Sequence, residues 1–535
     1  PYLLNSQISA PCPELYEMED GPVPQLHVPS ECETPADLLR GVPFHACLSG
    51  TGGHWCHPDS PWRPKTSRQR VKQYDVFFSH DWQSGRWSKH LSLLVAFNGL
   101  PAGIASWASS LVMGLFSCLG ILPKPLNAWT PLWSYMVSLA IFFFWQHVRR
   151  LFLGPTFAFI DSICIPQDDE VLKARCIQGL GTFLAKSEQL VVLWSPQYSR
   201  RLWCCYELGF FLLKKRKAEM IKFVPVQIGR ICVCLFIGVL LFQATMYAVV
   251  SREGDAMVAT GIMTAAFWLQ AIVIFPILQY TMTAMLKDLS QLPRQVSEFR
   301  LQDSECTCCA QQHRHPLTHS AIACDRELIY KSLRSTLGSS GAKMEKEAAL
   351  DVFNAYVRET LAGSLDRNFR HDKMILSHAL VTCATACGPW ASLTVTTACE
   401  MSMSGEDLLR WLGLLIYVDA GLLCVMRVSL LIGHFGASRM EKYPRPVIVL
   451  SQVVMLAFSA AAIFLPWPVT WVVSFSGYPW IWTSVLAAMV CLSGCFLWPA
   501  LSASGTPDLA PDLPTTYGTE TGPSRDEDER STFEI

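Results

Sequence analysis

SPQYSRRLWCCYELGFFL, residues 195–212, carries one carboxylate, Glu207, among basic, aromatic and aliphatic side chains. At helical spacing, Glu207 neighbours Trp203, Cys204, Phe210 and Phe211. The flanking segments are of a different kind. QLVVLW (189–194) and MIKFVPV (220–226) are short, nearly continuous apolar runs, as expected of strands buried on both faces. Upstream, DDEVLKARCIQGLGTFLAKS (168–187) has acids in its first turn, which suits a helix start. TFAFID (156–161) and YDVFFSH (74–80) are two further strands. SKHLSLLVAFN (88–98) has helical spacing, with Leu91, Leu94, Val95 and Asn98 on one face. Alternating strands and helices predict an α/β domain with a parallel sheet of four to five strands and helices on both faces. Residues 100–153 interrupt that pattern.

The interruption is apolar, and so is much of the chain. Of 535 residues, 51% are hydrophobic and 16% charged. Soluble domains carry nearer a quarter charged residues, so the composition points to a membrane. A helix crossing the hydrocarbon core needs ~20 mostly apolar residues. Eight runs qualify: 102–122, 131–148, 229–250, 257–285, 375–398, 408–433, 446–466 and 471–500. Between them, cation-rich segments (WRPKTSRQRVK, HVRR, KDLSQLPRQVSEFR, RNFRHDK, SRMEKYPRP) alternate with cation-poor ones (PKPLNAW, SREGD, CEMSMSGED, PWPVTW). By the positive-inside bias, the cation-rich set, both termini and the α/β domain are expected in the cytosol. Nothing in residues 1–40 has a signal-peptide layout. The sixth run holds Asp419 and Arg427, which fit either a permeation site or a structural polar contact in the bundle. The net charge of −1 gives no field to attract nucleic acid.

The domain layout follows. Residues 1–71 form a loop-rich cytosolic segment. Residues 72–99 plus 154–228 form the α/β domain, split by a membrane hairpin at 100–153. Residues 229–285 supply two spans. Residues 286–373 form a cytosolic Cys/His-rich and helical segment, 374–501 four spans, and 502–535 a disordered acidic tail.

YDVFFSHDW, FIDSICIP, VVLWSPQYSRRLWCCYEL and FVPV, in that order, resemble the Toll/interleukin-1 receptor (TIR) domain. The resemblance covers residues 72–99 and 154–228 and implies a flavodoxin-like fold. The chain also resembles a group of multi-span protist membrane proteins whose TIR-like domain is interrupted by apolar spans. Two features depart from the TIR pattern: the inserted hairpin and the lack of a recognisable fifth strand. TIR enzymes cleave NAD between nicotinamide and ribose, with no further cofactor. The resemblance assigns their catalytic carboxylate to Glu207 in the Trp203-Cys204-x-x-Glu207 segment. An anion there would stabilise the oxocarbenium-like ribose left by nicotinamide. Ser79, His80, Trp82, Asp161, Trp203 and Arg200 are then expected around the nucleotide, with Arg201 or Lys89 as further cations. Without the resemblance, Glu207 reads as a solvated or salt-bridged helix residue. TIR domains also act by self-association, so an assembly scaffold at the bilayer is the alternative. A channel or transporter with a regulatory TIR-like domain is a third reading.

In the segment 286–373, Cys306, Cys308, Cys309, His313, His315, His319 and Cys324 fall within nineteen residues. Thiolate and imidazole are zinc ligands, and cytosolic thiols stay reduced. Cys306, Cys308, Cys309, His313, His315 and Cys324 are therefore candidate zinc ligands, although the spacing is not that of a standard finger. S-acylation of Cys306, Cys308 and Cys309 and simple burial are the rivals. EKEAALDVFNAYVRETLA (345–362) is amphipathic and expected to pack on its neighbours.

Overall fold

The computed structural model describes residues 38–56, 68–122, 130–166, 170–215, 218–250, 256–314, 324–338, 344–368, 371–400, 405–440 and 442–464. The expected run 471–500 and the tail 502–535 lie outside the described residues.

All four expected strands form and join one sheet, although they come from either side of the apolar interruption. β1 (Arg40–Pro43), β2 (Gln69–Arg70), β3 (Tyr74–His80), β4 (Phe157–Phe159), β5 (Ser187–Trp194) and β6 (Ile221–Pro225) lie in the order β2-β1-β4-β3-β5-β6. β4, β3, β5 and β6 are parallel, with Val76 opposite both Ala158 and Gln189, and Val192 opposite Phe223. Counted along the chain, the parallel strands run 2-1-3-4. In a sheet so ordered, ligands bind where the order reverses, at the strands' carboxyl ends. Here the reversal lies between β3 and β5.

The expectation of a purely parallel sheet of four to five strands is corrected: the sheet is mixed and has six. β1 pairs antiparallel with β4, and β2 with β1. Both come from the segment read as loop-rich. β1 covers the edge that β4 would otherwise expose, and it closes with Pro43, which has no N–H to donate. Trp55 also comes from this segment. It is buried, donates to the Cys47 carbonyl at 3.1 Å and meets Phe78 edge-on. Beyond β6 no further strand pairs among the described residues. The chain passes directly into the helix Ile228–Val250.

Among the described residues, five helical stretches are long and apolar enough to cross a membrane: Arg86–Cys118, Thr130–Leu153, Ile228–Thr245, Ile272–Ser297 and Ala420–Ala437. The first is continuous with the helix that packs on the sheet and passes through Pro101 without ending. It pairs with Thr130–Leu153 through polar contacts. Asn98 donates to the Phe142 carbonyl and accepts from Gln146 Nε2, both at 2.8 Å. Leu100, Ile104, Leu111, Leu132, Trp133 and Phe144 stand exposed on these two helices, an apolar surface suited to lipid.

The expected run 375–398 is instead two helices, His371–Cys387 and Trp390–Glu400. Pro389 sits at the break and cannot donate back to Thr385. Ser106 takes the Thr385 carbonyl at 2.8 Å, and Tyr135 takes that of Ala386 at 2.5 Å. A broken helix is tolerated at membrane depth when side chains re-satisfy the freed carbonyls in this way. The 446–466 run corresponds to the helix Arg445–Phe464. Asp419 and Arg427 both lie on Gly405–Ala437, where Arg427 is half-buried. The Asp419 side chain lies outside the description.

Among the described residues one disulfide, Cys118–Cys399, joins the far end of the first candidate membrane helix to the helix Trp390–Glu400. At 1.5 Å per residue, Cys118 lies about 48 Å along its helix from Arg86, which starts beside the sheet.

Candidate functional site

Glu207 sits on the helix Leu202–Lys215, which follows β5 and packs across the sheet at the β3 side. Its neighbours hold it close. Gly209 presents its bare backbone to Phe353 and Val357 of the helix Lys346–Asn368, and a Cβ there would lie 2.7 Å from Val357 Cγ2. Phe210 fills the space over Gly181. The result points Glu207 inward, where only 6% of it is exposed.

Its partner is Ser79, the penultimate residue of β3. Ser79 Oγ donates to Glu207 Oε2 at 2.5 Å and lies 2.7 Å from the Tyr198 hydroxyl. Tyr198 Oη lies 3.3 Å from the Cys204 carbonyl, to which it donates. Burial raises the Glu207 carboxyl well above its ordinary value, and the negative charge of Asp161 adds to the rise. The Ser79 hydrogen bond opposes both. Glu207 is thus a carboxylic acid held neutral. Burial likewise lifts the Tyr198 phenol and the Cys204 thiol well above their usual range, so neither is an anionic nucleophile.

A cleft opens beside this cluster at the carboxyl end of β3. It is lined by Phe78, His80, Trp82, Asp161, Arg201, Leu202, Trp203, Cys204, Glu207, Glu305 and Thr307. Asp161, two residues past the end of β4, is partly exposed. It accepts from Trp82 Nε1 at 3.2 Å and lies 3.9 Å from His80 Nε2. Burial, with the Lys89 charge adding, lowers the His80 imidazole well below its ordinary value. His80 is therefore neutral, and the 3.9 Å approach is not an ion pair.

Comparison with family models, curated proteins and solved structures returned no match.

Of the residues expected around a nucleotide, His80, Trp82, Asp161, Trp203 and Glu207 line the cleft together. Ser79 lies behind Glu207 as its hydrogen-bond donor. Arg200 does not line the cleft. It is exposed, and Arg201 takes the cleft position, with its Nε 3.9 Å from the buried Asp81. Lys89 is fully buried, its Nζ 5.3 Å from the Trp82 ring centroid, and so sits beneath the cleft rather than in it.

Asp81, beside the cleft, and Glu305 and Thr307, which line it, escaped the sequence reading. Asp81 is 1% exposed and anchors the β3 turn, accepting from the Gln83 amide at 3.0 Å. Glu305 and Thr307 belong to the Cys/His-rich segment, about 100 residues away in sequence. They lie on a strap bonded along the start of the Glu207 helix. The Glu305 amide donates to the Arg200 carbonyl at 2.5 Å, and the Leu202 amide donates to the Glu305 carbonyl at 3.1 Å. Arg201 Nη2 donates to Thr307 Oγ1 at 3.0 Å. With the strap in place the cleft encloses about 40 Å³, room for roughly two or three waters and far too little for a nucleotide.

The metal-ligating set also changes. Cys308, Cys309, His313 and Cys324 converge, with one ligand atom from each lying within 4.8 Å of the others. Cys306 falls in a second group with Cys308 and Asp325. His315 and His319 lie outside the described residues.

Proposed function

We infer that this chain is an integral membrane protein whose α/β unit is a TIR-like domain that cleaves NAD at the nicotinamide–ribose bond. The observation that carries the reading is the position of Glu207: a buried carboxyl on Ser79, at the carboxyl end of β3, where the strand order reverses. The chemistry fits the groups present. Bound NAD would bring the positive charge of its nicotinamide ring beside Glu207. A nearby cation favours the carboxylate, so the acid held neutral in the covered cleft would ionise when substrate enters. The carboxylate then faces the cationic ribose as nicotinamide leaves, and water completes hydrolysis. Trp82 and Trp203 offer aromatic surface to the bases, and Arg201 offers a cation to the pyrophosphate.

The Cys118–Cys399 disulfide supports an orientation. Disulfides persist in oxidising compartments. This one lies at the far end of the first membrane helix from the sheet, while Cys204, Cys205, Cys306 and Cys308 around the α/β unit are free thiols. This distribution supports a cytosolic α/β unit.

The small, covered cleft favours a second reading, in which the TIR-like domain self-associates and recruits partners without chemistry. Full-length protein in nanodiscs, treated with a metal chelator to release the strap and then incubated with NAD, separates the two. The enzymatic reading requires free nicotinamide from the wild type and none from Glu207→Gln. Equal amounts from both, or none from either, leave the assembly reading.

A further inference from the structure

Immediately after the strap, the chain makes a compact knuckle. A single helical turn, Thr307–Ala310, ends in two consecutive non-glycine residues with left-handed backbone, Gln312 (φ 53°) and His313 (φ 55°). Such conformations are unfavourable for residues with a Cβ and persist where something else holds them. Here they turn the chain back on itself: the His313 amide donates to the Cys308 carbonyl at 2.8 Å, and the Gln312 amide to that of Cys309 at 3.1 Å. The turn brings the His313 ring to the thiols. His313 Nε2 is buried with no hydrogen-bond partner among the described residues.

The sulfur geometry matches an ion. Cys309 Sγ and Cys324 Sγ are 3.7 Å apart. Two thiolates each ~2.3 Å from a tetrahedral zinc stand about 3.8 Å apart. The Asp325 amide donates to Cys308 Sγ at 3.3 Å, the kind of outer hydrogen bond that fixes a thiolate ligand. Three sulfurs and one orphaned imidazole nitrogen make a closed S₃N set, suited to zinc and leaving no open position for catalysis.

We propose that Cys308, Cys309, His313 and Cys324 bind one zinc ion that clamps the strap over the Glu207 cleft. The connections on either side make it a clamp. Glu305 and Thr307 precede the first ligands directly. The last ligand, Cys324, starts the helix Asp325–Leu337, whose Asp325 accepts from Trp203 Nε1 at 3.2 Å. The ion therefore ties the strap to a helix that grips the Glu207 helix. Cys306 is outside the set. The metal site stands apart from the NAD reading; only the effect of strap release on turnover rests on it.

The test uses the full-length chain purified in nanodiscs without added metal. Elemental analysis should find one zinc per chain in the wild type and in Cys306→Ser, and loss of zinc in His313→Ala and Cys324→Ser. Should those variants fail to fold, exchange of the wild-type metal for cobalt should give the d–d and thiolate charge-transfer bands of a tetrahedral three-thiolate site. Chelation should speed amide hydrogen exchange at Leu202 and Glu305 by about tenfold or more, as a local opening would. A metal-free wild type whose cysteines are paired as disulfides overturns the site. Zinc loss with unchanged exchange at Leu202 and Glu305 overturns the clamp. Neither result depends on nicotinamide release.

Discussion

Replacing Glu207 by glutamine keeps the shape of the side chain and removes its proton equilibrium. The stability effect follows from burial. In the unfolded chain Glu207 loses its proton near its ordinary value of 4.5, whereas in the fold it does so only at a much higher pH. Between those two values the unfolded state binds fewer protons than the native state. Raising the pH through that window therefore favours unfolding, with a slope of up to about 1.4 kcal/mol per pH unit from this one group. Below the window both states are protonated and the cost vanishes; above it the cost is constant. Glu207→Gln has no such term, and its amide oxygen can still accept from Ser79. The variant should match the wild type at or below pH 4.5 and gain on it as the pH rises toward neutrality. Each kcal/mol corresponds to about 2–4 °C in a unit of roughly 150–250 residues. Thermal unfolding of both proteins in nanodiscs across pH reads this directly. A gap that is constant or closes with rising pH would mean that Glu207 is ionised in the fold, and the description of the site would be wrong.

Further consequences follow from packing and topology. Gly209→Ala should destabilise the α/β unit by about 1–3 kcal/mol through overpacking against Phe353 and Val357, seen as a lowered unfolding temperature. Tyr135→Phe leaves the Ala386 carbonyl without its donor and should cost about 0.6–1.7 kcal/mol, measured by unfolding in detergent. In sealed vesicles, Cys118 and Cys399 should resist maleimide until reduced from the side opposite the α/β unit. Labelling of both without reductant would remove the disulfide from the account.

The elements legible in the sequence were those with local signals. The four apolar strand runs each fell where a strand forms, because burial on both faces demands uninterrupted side chains of one kind. The apolar runs 131–148 and 229–250 fell within membrane-length helices for the same reason, and 102–122 overlaps one that ends at Cys118. What the sequence concealed was non-local or too short. β1 has four residues and β2 two, too few to show a period, and their role depends on β4, more than a hundred residues later. The Gly388-Pro389 break was hidden in a run of uniform apolarity, and what stabilises it lies on other helices. At the site, Glu207, His80, Trp82, Asp161 and Trp203 are singled out by the resemblance of their segments to the TIR pattern, not by composition or periodicity. The sequence marks Arg200 and Arg201 alike, because adjacent arginines cannot be told apart without knowing which way the helix enters. Nothing near residue 207 pointed to Glu305 and Thr307, whose place depends on backbone pairing between distant segments. In the Cys/His cluster, residue types offer metal ligands, but only the turn at Gln312 and His313 shows which of the side chains converge.

The central claim is that Glu207 acts on NAD. It is tested most directly by proton NMR of NAD mixed with full-length wild type or with Glu207→Gln, both treated with a metal chelator to free the cleft. The account predicts free-nicotinamide resonances growing with the wild type. With the variant it predicts saturation transfer to intact NAD and no free nicotinamide. Unchanged NAD in both mixtures, with no transfer in either, would contradict it.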